Sequence, residues 1–130
     1  MSDREQAVAL LHLAARDLRA LKGMLDPDVF ADEVFGFIAQ QTVEKSLKSW
    51  LCLLSQPYPF THDLTELIAR LADSGQNVDE LWELVELNPF AVALRYADLS
   101  TDEAPLDRGD AIKRVEALYE RVRKAVHGEK

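Results

Sequence analysis

Residues 37–51, FIAQQTVEKSLKSWL, decide the fold. The stretch is helical, and at 100° per residue one broad face collects its small and apolar side chains: Ala39, Thr42, Val43, Ser46, Leu47 and Trp50. The opposite arc holds Gln40, Gln41, Glu44, Lys45 and Lys48, yet Phe37 and Leu51 also fall within that polar arc. An ordinary surface helix has one apolar stripe and a solvated back. The polar arc is either a solvated face with incidental ion pairs or a surface covered by another helix or by a second copy of the chain, and Phe37 and Leu51 favour the covered surface.

The composition indicates one folded domain over residues 1–130, because this length suits a single compact unit and 48% of the residues are hydrophobic. The 15 basic and 23 acidic residues give a net charge of -8. This charge argues against a general polyanion binder, since nucleic-acid affinity depends largely on neutralising phosphates. A local basic patch remains open.

The cysteine content and the first residues of the chain are used to predict the cellular compartment. The only cysteine is Cys52, so no intrachain disulfide and no cysteine-based zinc site are expected. The opening MSDREQ lacks the features of a secretion signal, and no run of about 18 apolar residues is present. The expectation is a soluble, cytoplasmic protein.

Helical periodicity dominates the chain from end to end. A first helix begins at Ser2, whose spacing to Glu5 fits a capping box, and its predicted buried stripe is Leu11, Ala14, Leu18, Leu21 and Leu25. Asp26-Pro27 ends it. The second helix is predicted from Asp28 to Leu54, and SQPYPF follows it. A third helix follows Thr61-His62-Asp63, buries Leu64, Leu67, Ile68 and Leu71, and closes at Ser74-Gly75.

The second half of the chain is predicted to hold two more helical segments. Asn77 with Glu80 caps a fourth helix that Asn88-Pro89 interrupts or restarts, and that ends at Arg95-Tyr96. Residues 97–107 read as an acidic loop. A last helix is predicted over residues 107–127. The predicted fold class is therefore all-α, an up-and-down bundle of four to five helices.

The candidate chemistry lies on the second helix and after it. Glu44 and Lys48 form an i,i+4 pair in the favourable orientation. His62 is either a residue of a capping turn or an imidazole that Asp63 or a neighbour orients. Arg95 either complements a helix end or holds a phosphate or carboxylate.

Several known kinds of site are missing from the sequence. The five scattered glycines form neither a P-loop nor a dinucleotide fingerprint, and the serines form no nucleophile elbow. The three histidines lie far apart in sequence. We expect no cofactor and no metal.

The pattern resembles the HEPN domain, a family of small helical bundles. The matching stretches are AARDLRAL (14–21), FIAQQTVEKSLKSWL (37–51), THDLTEL (61–67) and LNPFAVALRYAD (87–98). They cover nearly the whole chain in the family's order, and the AQQ-x-x-EK-x-LK core is the most specific. The resemblance implies that the second helix lies at the heart of the bundle and beside a homodimer interface.

The resemblance implies three kinds of function. Some HEPN proteins are metal-independent ribonucleases with an Arg-x(4–6)-His motif, others are linked to nucleotide binding, and many are encoded beside a minimal nucleotidyltransferase in toxin–antitoxin-type pairs. Here Arg95 is followed by Tyr-Ala-Asp, and the one formal match, Arg121 with His127, lies near the chain end. The ribonuclease role is therefore not transferred. The sequence also contains no nucleotidyltransferase motif, so that activity would belong to a separate chain.

These observations lead to one predicted function and two alternatives. The prediction is a dimeric binding module for a nucleotide or RNA that acts with a nucleotidyltransferase partner; the alternatives are a ribonuclease with a diverged pair such as Arg95 with His62, and a structural dimerisation module. Lys45, Lys48 and Arg95 are predicted to bind phosphate, His62 and Tyr96 to meet a base or a partner side chain, and Glu44 to orient the cations. The complete set of predicted ligand-binding residues is Gln41, Glu44, Lys45, Lys48, His62, Asp63, Arg95 and Tyr96.

Overall fold

The structure, a computed structural model, describes residues 2–95 and 106–129. Those residues form four α-helices and one long 3₁₀ helix, and they contain no β-strand. The α-helices are α1 (Asp3–Lys22), α2 (Asp32–Leu53), α3 (Leu64–Asp73) and α4 (Arg108–Val126), and the 3₁₀ helix (Asp79–Arg95) lies between α3 and α4. The prediction of an all-α bundle of four to five helices is confirmed. Within the described residues, no helix is both long and apolar enough to cross a membrane.

Helix α2 is the centre of the bundle, since it contacts each of the other four helices. None of residues 37–51 is exposed: Phe37, Ile38, Gln41, Lys45 and Lys48 are half-buried along one side, and the others are buried, including Leu51, which is fully buried within the chain. This explains why residues 37–51 have no single apolar stripe, because a helix without exposed residues has no solvated back. Leu51 is thus covered by the chain itself and offers no surface to a second copy, while Phe37 remains half-buried.

Small residues bring α1 close to α2. Ala7 and Ala14 are fully buried on α1, and the hydroxyl of Ser49 donates a hydrogen bond of 2.6 Å to the backbone carbonyl of Ala7. Since a side chain of α2 reaches the backbone of α1, the two helices pack almost directly against each other. The rest of the predicted α1 stripe, Leu11, Leu18 and Leu21, is buried as expected.

The stripe prediction was wrong at Leu25, which is exposed. Helix α1 ends at Lys22, and the chain turns before α2 begins at Asp32 and not at Asp28. The Asp26 carboxylate accepts from the Asp28 amide at 2.9 Å, so Asp26 organises a turn of its own. This turn occupies the residues that we expected to start the second helix.

Arg108, at the start of α4, binds the α1–α2 connection to the bundle. Its guanidinium donates to the carbonyls of Met24 (2.7 Å) and Phe30 (2.6 Å), and it forms an ion pair of 2.8 Å with Asp32. It also lies 5.0 Å from the centre of the Phe35 ring. A buried arginine therefore satisfies the carbonyls of the α1–α2 connection.

The fourth helix differs from the prediction in type. Asn77 does accept a hydrogen bond from the Asp79 amide, at 3.1 Å, but the helix is 3₁₀ throughout and passes through Pro89 without the expected interruption. A 3₁₀ helix has three residues per turn, so residues three apart share a face. The buried side chains follow that spacing: Leu81, Leu84 and Leu87.

Gly36 allows the far end of the 3₁₀ helix to approach α2. A Cβ atom added at Gly36 would overlap the ring of Phe90. The absent side chain is therefore the space in which Phe90 packs.

Candidate functional site

The candidate site lies where the α2–α3 loop returns to α2. The N-cap of α3 is Asp63, whose carboxylate accepts from the Thr65 amide at 2.9 Å. Asn88 of the 3₁₀ helix accepts from the Leu64 amide at 2.8 Å and donates to Asp63 at 2.9 Å. The beginning of α3 is thereby fixed to the 3₁₀ helix, and this places the preceding residue, His62, at a defined position over α2.

Glu44 is the centre of a polar network at this position. One carboxylate oxygen accepts from the Gln40 amide at 3.0 Å and contacts Nδ1 of His62 at 2.8 Å, and the other accepts from the Lys48 ammonium at 3.1 Å. The Glu44 side chain is only 6% exposed. A buried carboxylate needs such partners, because an isolated buried charge is strongly unfavourable.

The network keeps Glu44 ionised. Burial alone raises the pKa of this carboxyl, but the hydrogen bonds from Gln40, His62 and Lys48 and the positive charge of Lys48 outweigh burial and lower the pKa below its ordinary value of 4.5. At neutral pH the group is therefore a carboxylate, which accepts hydrogen bonds and donates none.

This charge state determines the tautomer of His62. Because the carboxylate only accepts, Nδ1 of His62 must carry the hydrogen that lies between them. The second ring nitrogen, Nε2, has no hydrogen-bond partner among the described residues, and the side chain is 62% exposed. Glu44 thus holds the imidazole in one orientation and leaves Nε2 free to interact with a ligand.

Gln40 is the residue of this site that sequence reasoning missed. Its side-chain amide donates both to Glu44 and to the backbone carbonyl of His62, each at 3.0 Å, and its oxygen accepts from Gln41 at 2.8 Å. Gln40 is completely buried and ties the loop to the carboxylate. Its spacing of four residues to Glu44 was the available signal, but nothing in the sequence indicated the bond to residue 62.

The structure brings some of the predicted site residues together and places others elsewhere. Glu44, Lys48 and His62 share the network, and Gln41 lies at its edge. Lys45 forms an ion pair with Asp17 of α1 and takes no part in the network. Asp63, which we considered as the group orienting the imidazole, caps α3, and Glu44 performs the orientation.

The structure does not describe the side chains of the two remaining predicted residues, Arg95 and Tyr96. Arg95 is the last residue of the 3₁₀ helix, while the Arg95 side chain and all of Tyr96 lie outside the described part of the chain, as does the predicted acidic loop up to residue 105. The expected proximity of Arg95 to His62 therefore stays a prediction.

Lys48 is held on two sides. It forms an ion pair with Glu44, and its ammonium lies 5.4 Å from the centre of the Tyr58 ring, a cation–π distance. The Tyr58 hydroxyl accepts a hydrogen bond of 3.4 Å from Gln6 of α1. The lysine is only 13% exposed, so it supplies a fixed charge under the loop and has little freedom to extend into water.

A shallow pocket of about 400 Å³ opens beside the network, lined by His62, Asp63, Thr65, Asn88 and Ala91. It joins the exposed imidazole to the capped beginning of α3 and to the 3₁₀ helix. Among the described residues, no group of three or more His, Cys, Asp or Glu side chains is arranged to hold a metal ion. The chemistry offered here is hydrogen bonding through the imidazole and the acceptor atoms of the pocket.

Comparison with known proteins identifies the family of this chain. The family model described as the HEPN domain matches residues 7–125, which runs from the first turns of α1 to the end of α4. No curated protein and no solved structure matches the chain significantly. The matched residues include all of the Glu44–His62 network, and the chain belongs to the HEPN domain family.

Proposed function

We propose that this protein is a binding module for a nucleotide or RNA and that it acts with a separate nucleotidyltransferase in a toxin–antitoxin-type pair. The observation that supports the ligand is the His62 imidazole, held at Nδ1 by the buried Glu44 carboxylate with Nε2 free beside a pocket of about 400 Å³. Membership of the HEPN family supports the link to nucleotides and RNA.

The oriented imidazole suits the groups of a nucleotide. In its neutral form Nε2 accepts a hydrogen bond from a ribose hydroxyl, and in its protonated form it donates to a phosphate oxygen. The Lys48 ammonium lies on the other side of the same carboxylate and adds positive charge next to the imidazole. The site is thus a small, pre-organised donor and acceptor set, which lowers the entropic cost of binding.

The second candidate function is a metal-independent ribonuclease, and the same pair of residues favours it. A carboxylate that fixes the Nδ1–H tautomer leaves Nε2 as a general base, which removes a proton from a hydroxyl that comes within hydrogen-bond reach. The ribose 2′-hydroxyl is such a group. This activity would use His62 in place of the family's Arg-x(4–6)-His motif.

A thermal-shift experiment tests ligand binding, because a ligand that binds only the folded state raises the melting temperature. ATP, GTP and short RNA are added to the wild type and to Lys48→Met, and each protein is compared with its own ligand-free melting temperature. We expect one of these ligands to raise the wild-type value and to have a much smaller effect on Lys48→Met.

Lys45→Met is the matched control for that variant. Lys45 lies on the same helix and is also ion-paired, but its partner is Asp17 on α1. The control is expected to keep the ligand-induced rise. A wild type that ignores all three ligands contradicts the proposed binding function.

A ribonuclease assay in the presence of EDTA separates the second candidate from the first. Cleavage by the wild type that His62→Ala abolishes, and that His12→Ala preserves, identifies an enzyme. Ligand binding without cleavage identifies a binding module. His12 is a suitable control because it is exposed on α1, outside the network.

A further inference from the structure

Phe60 is a fully exposed aromatic side chain in the α2–α3 loop. Burial of a phenylalanine side chain contributes about 1.5–3 kcal/mol, so a ring left entirely in water forgoes that gain. The neighbour Tyr58 packs against the hydrophobic core and Pro59 is half-buried, whereas Phe60 is buried by neither the core nor the loop. The exposure of Phe60 is thus a feature that the packing of the loop leaves unexplained.

The loop is held in place on both sides of Phe60. Before it, the Tyr58 ring lies against Lys48 and its hydroxyl accepts from Gln6. After it, the Thr61 hydroxyl accepts from the Asp63 amide at 3.0 Å. Prolines at positions 57 and 59 restrict the backbone further. These contacts restrict the backbone on both sides of Phe60. A restricted backbone lowers the entropic cost of stacking a ligand on the ring.

Phe60 lies two residues before His62 in the chain. Thr61, between the two, is half-buried, whereas Phe60 and His62 are both exposed. The chain bends at Phe60, and the Cα atoms of Phe60 and His62 are separated by at most about 7 Å, so both exposed rings belong to the same short stretch of the loop. The imidazole at this position opens on the pocket of about 400 Å³.

The lining of this pocket disfavours a phosphate inside it. Among the described residues, the lining contains one carboxylate, that of Asp63, and neither lysine nor arginine. The pocket itself is lined by the carboxylate of Asp63, the hydroxyl of Thr65 and the amide of Asn88. One Asp63 oxygen accepts two hydrogen bonds, and the other has no partner among the described residues. These atoms suit the amino edge of a neutral base.

We propose that Phe60 is the stacking surface for the base of the bound nucleotide and that the pocket beside His62 receives the edge of this base and not its phosphate. The inference rests on the proposed nucleotide-binding function and specifies which part of the ligand the loop recognises. Aromatic rings bind bases by stacking in this way at many single-stranded nucleic-acid sites. The amino group of an adenine donates to the free oxygen of Asp63.

Calorimetric titration with AMP and with ribose 5-phosphate, which lacks the base, tests the assignment. The wild type is expected to bind AMP more tightly than ribose 5-phosphate. Phe60→Ala is expected to weaken AMP binding by about 5- to 150-fold, the range that stacking of one base gives, and to leave ribose 5-phosphate binding unchanged. Phe60→Trp should retain AMP binding.

Leu25→Ala is the matched control, since Leu25 is another exposed apolar side chain but lies in the α1–α2 connection. It should bind AMP like the wild type. AMP binding that is equal in Phe60→Ala and in the wild type overturns the stacking assignment and leaves the proposed function intact. Equal affinity of the wild type for AMP and ribose 5-phosphate has the same consequence. A wild type that binds neither compound also overturns the stacking assignment, whereas the proposed function is contradicted only if ATP, GTP and short RNA fail to bind as well.

Discussion

Replacing Glu44 by glutamine removes the charge at the centre of the network without changing the size of the side chain. The glutamine amide presents a donor to at least one of three groups that themselves donate: Gln40, His62 and Lys48. It also leaves the Lys48 ammonium, which is 13% exposed, without its counter-charge. The variant therefore combines a lost ion pair with a clash between donors.

The magnitude follows from these contacts. Breaking a buried ion pair costs about 3–5 kcal/mol, and a hydrogen bond to a charged group contributes about 1.5–3 kcal/mol. Because Lys48 keeps some access to water, we expect Glu44→Gln to lower the free energy of unfolding by about 2–3 kcal/mol at pH 7. At about 2.1 cal/mol/K per residue for the unfolding entropy of the 130 residues, this corresponds to a melting temperature lower by about 7–11 °C.

The effect should depend on pH in one direction. The folded-state pKa of Glu44 is lower than its ordinary value of 4.5, so the carboxylate contributes its full stabilisation above that value and loses it as the pH falls through the folded-state pKa. The difference between the wild type and Glu44→Gln should therefore be largest at neutral pH and shrink below pH 4.5.

Urea unfolding at several pH values, in buffer without added salt, measures the difference in free energy of unfolding between the wild type and Glu44→Gln. Glu66→Gln is the control, because the Glu66–Arg70 pair is exposed on α3 and its loss should cost less than about 0.5 kcal/mol. A Glu44→Gln variant as stable as the wild type at neutral pH refutes the reasoning, since the buried carboxylate would then have no structural role.

Three further outcomes are expected. Gly36→Ala should destabilise the protein by about 1–2 kcal/mol in thermal unfolding, because the overlap of the new Cβ with Phe90 outweighs the gain in helix propensity. Gly109→Ala should not destabilise it, because a Cβ at Gly109 makes only an ordinary van der Waals contact. Arg108→Met should lower the free energy of unfolding by about 2–4 kcal/mol in urea, because it removes the donors of two partly buried hydrogen bonds and the ion pair with Asp32. The more exposed Arg123→Met should have little effect. We expect a homodimer, so light scattering at micromolar concentration should give about twice the chain mass of 14.7 kDa, and the mass of a monomer contradicts that prediction.

The parts of the fold that the sequence predicted well depend on local chemistry. Ser2 accepts from the Glu5 amide, so α1 starts where its capping side chain indicated. Helix α4 starts one residue after the predicted position, Asp107, whose carboxylate accepts from the Asp110 amide. The stripe of α3 also follows from its period alone, since Leu64, Leu67, Ile68 and Leu71 are all buried. Such features involve residues within one or two helical turns.

The predictions for the start of α2 and for the type of the fourth helix were wrong, because other local interactions determine these features. Asp26 forms a turn that delays α2 to Asp32, and a leucine spacing of three residues in the fourth helix gave a 3₁₀ helix where an interrupted α-helix was expected. Leucines three apart fit either helix type, so the sequence pattern alone did not distinguish them.

The candidate site was only partly predictable for a different reason. The pair Glu44–Lys48 follows from i,i+4 spacing and is present. The contact between Glu44 and His62 joins residues 18 apart, and that between Lys45 and Asp17 joins residues 28 apart. Such pairings depend on how the loop and α1 pack against α2, and no periodicity in the sequence encodes them.

The central claim is that Glu44 fixes the His62 imidazole with Nδ1 protonated and Nε2 free for a nucleotide ligand. Nitrogen-15 NMR of the imidazole rings tests it most directly, with His12 and His127, which are both exposed, as internal references. At a pH where the rings are neutral, we predict the Nδ1–H tautomer for His62 in the wild type, its loss in Glu44→Gln, and a shift of the His62 Nε2 resonance alone when AMP is added. An Nε2–H tautomer at His62, or AMP-induced shifts that are absent or equal at all three histidines, would contradict the account.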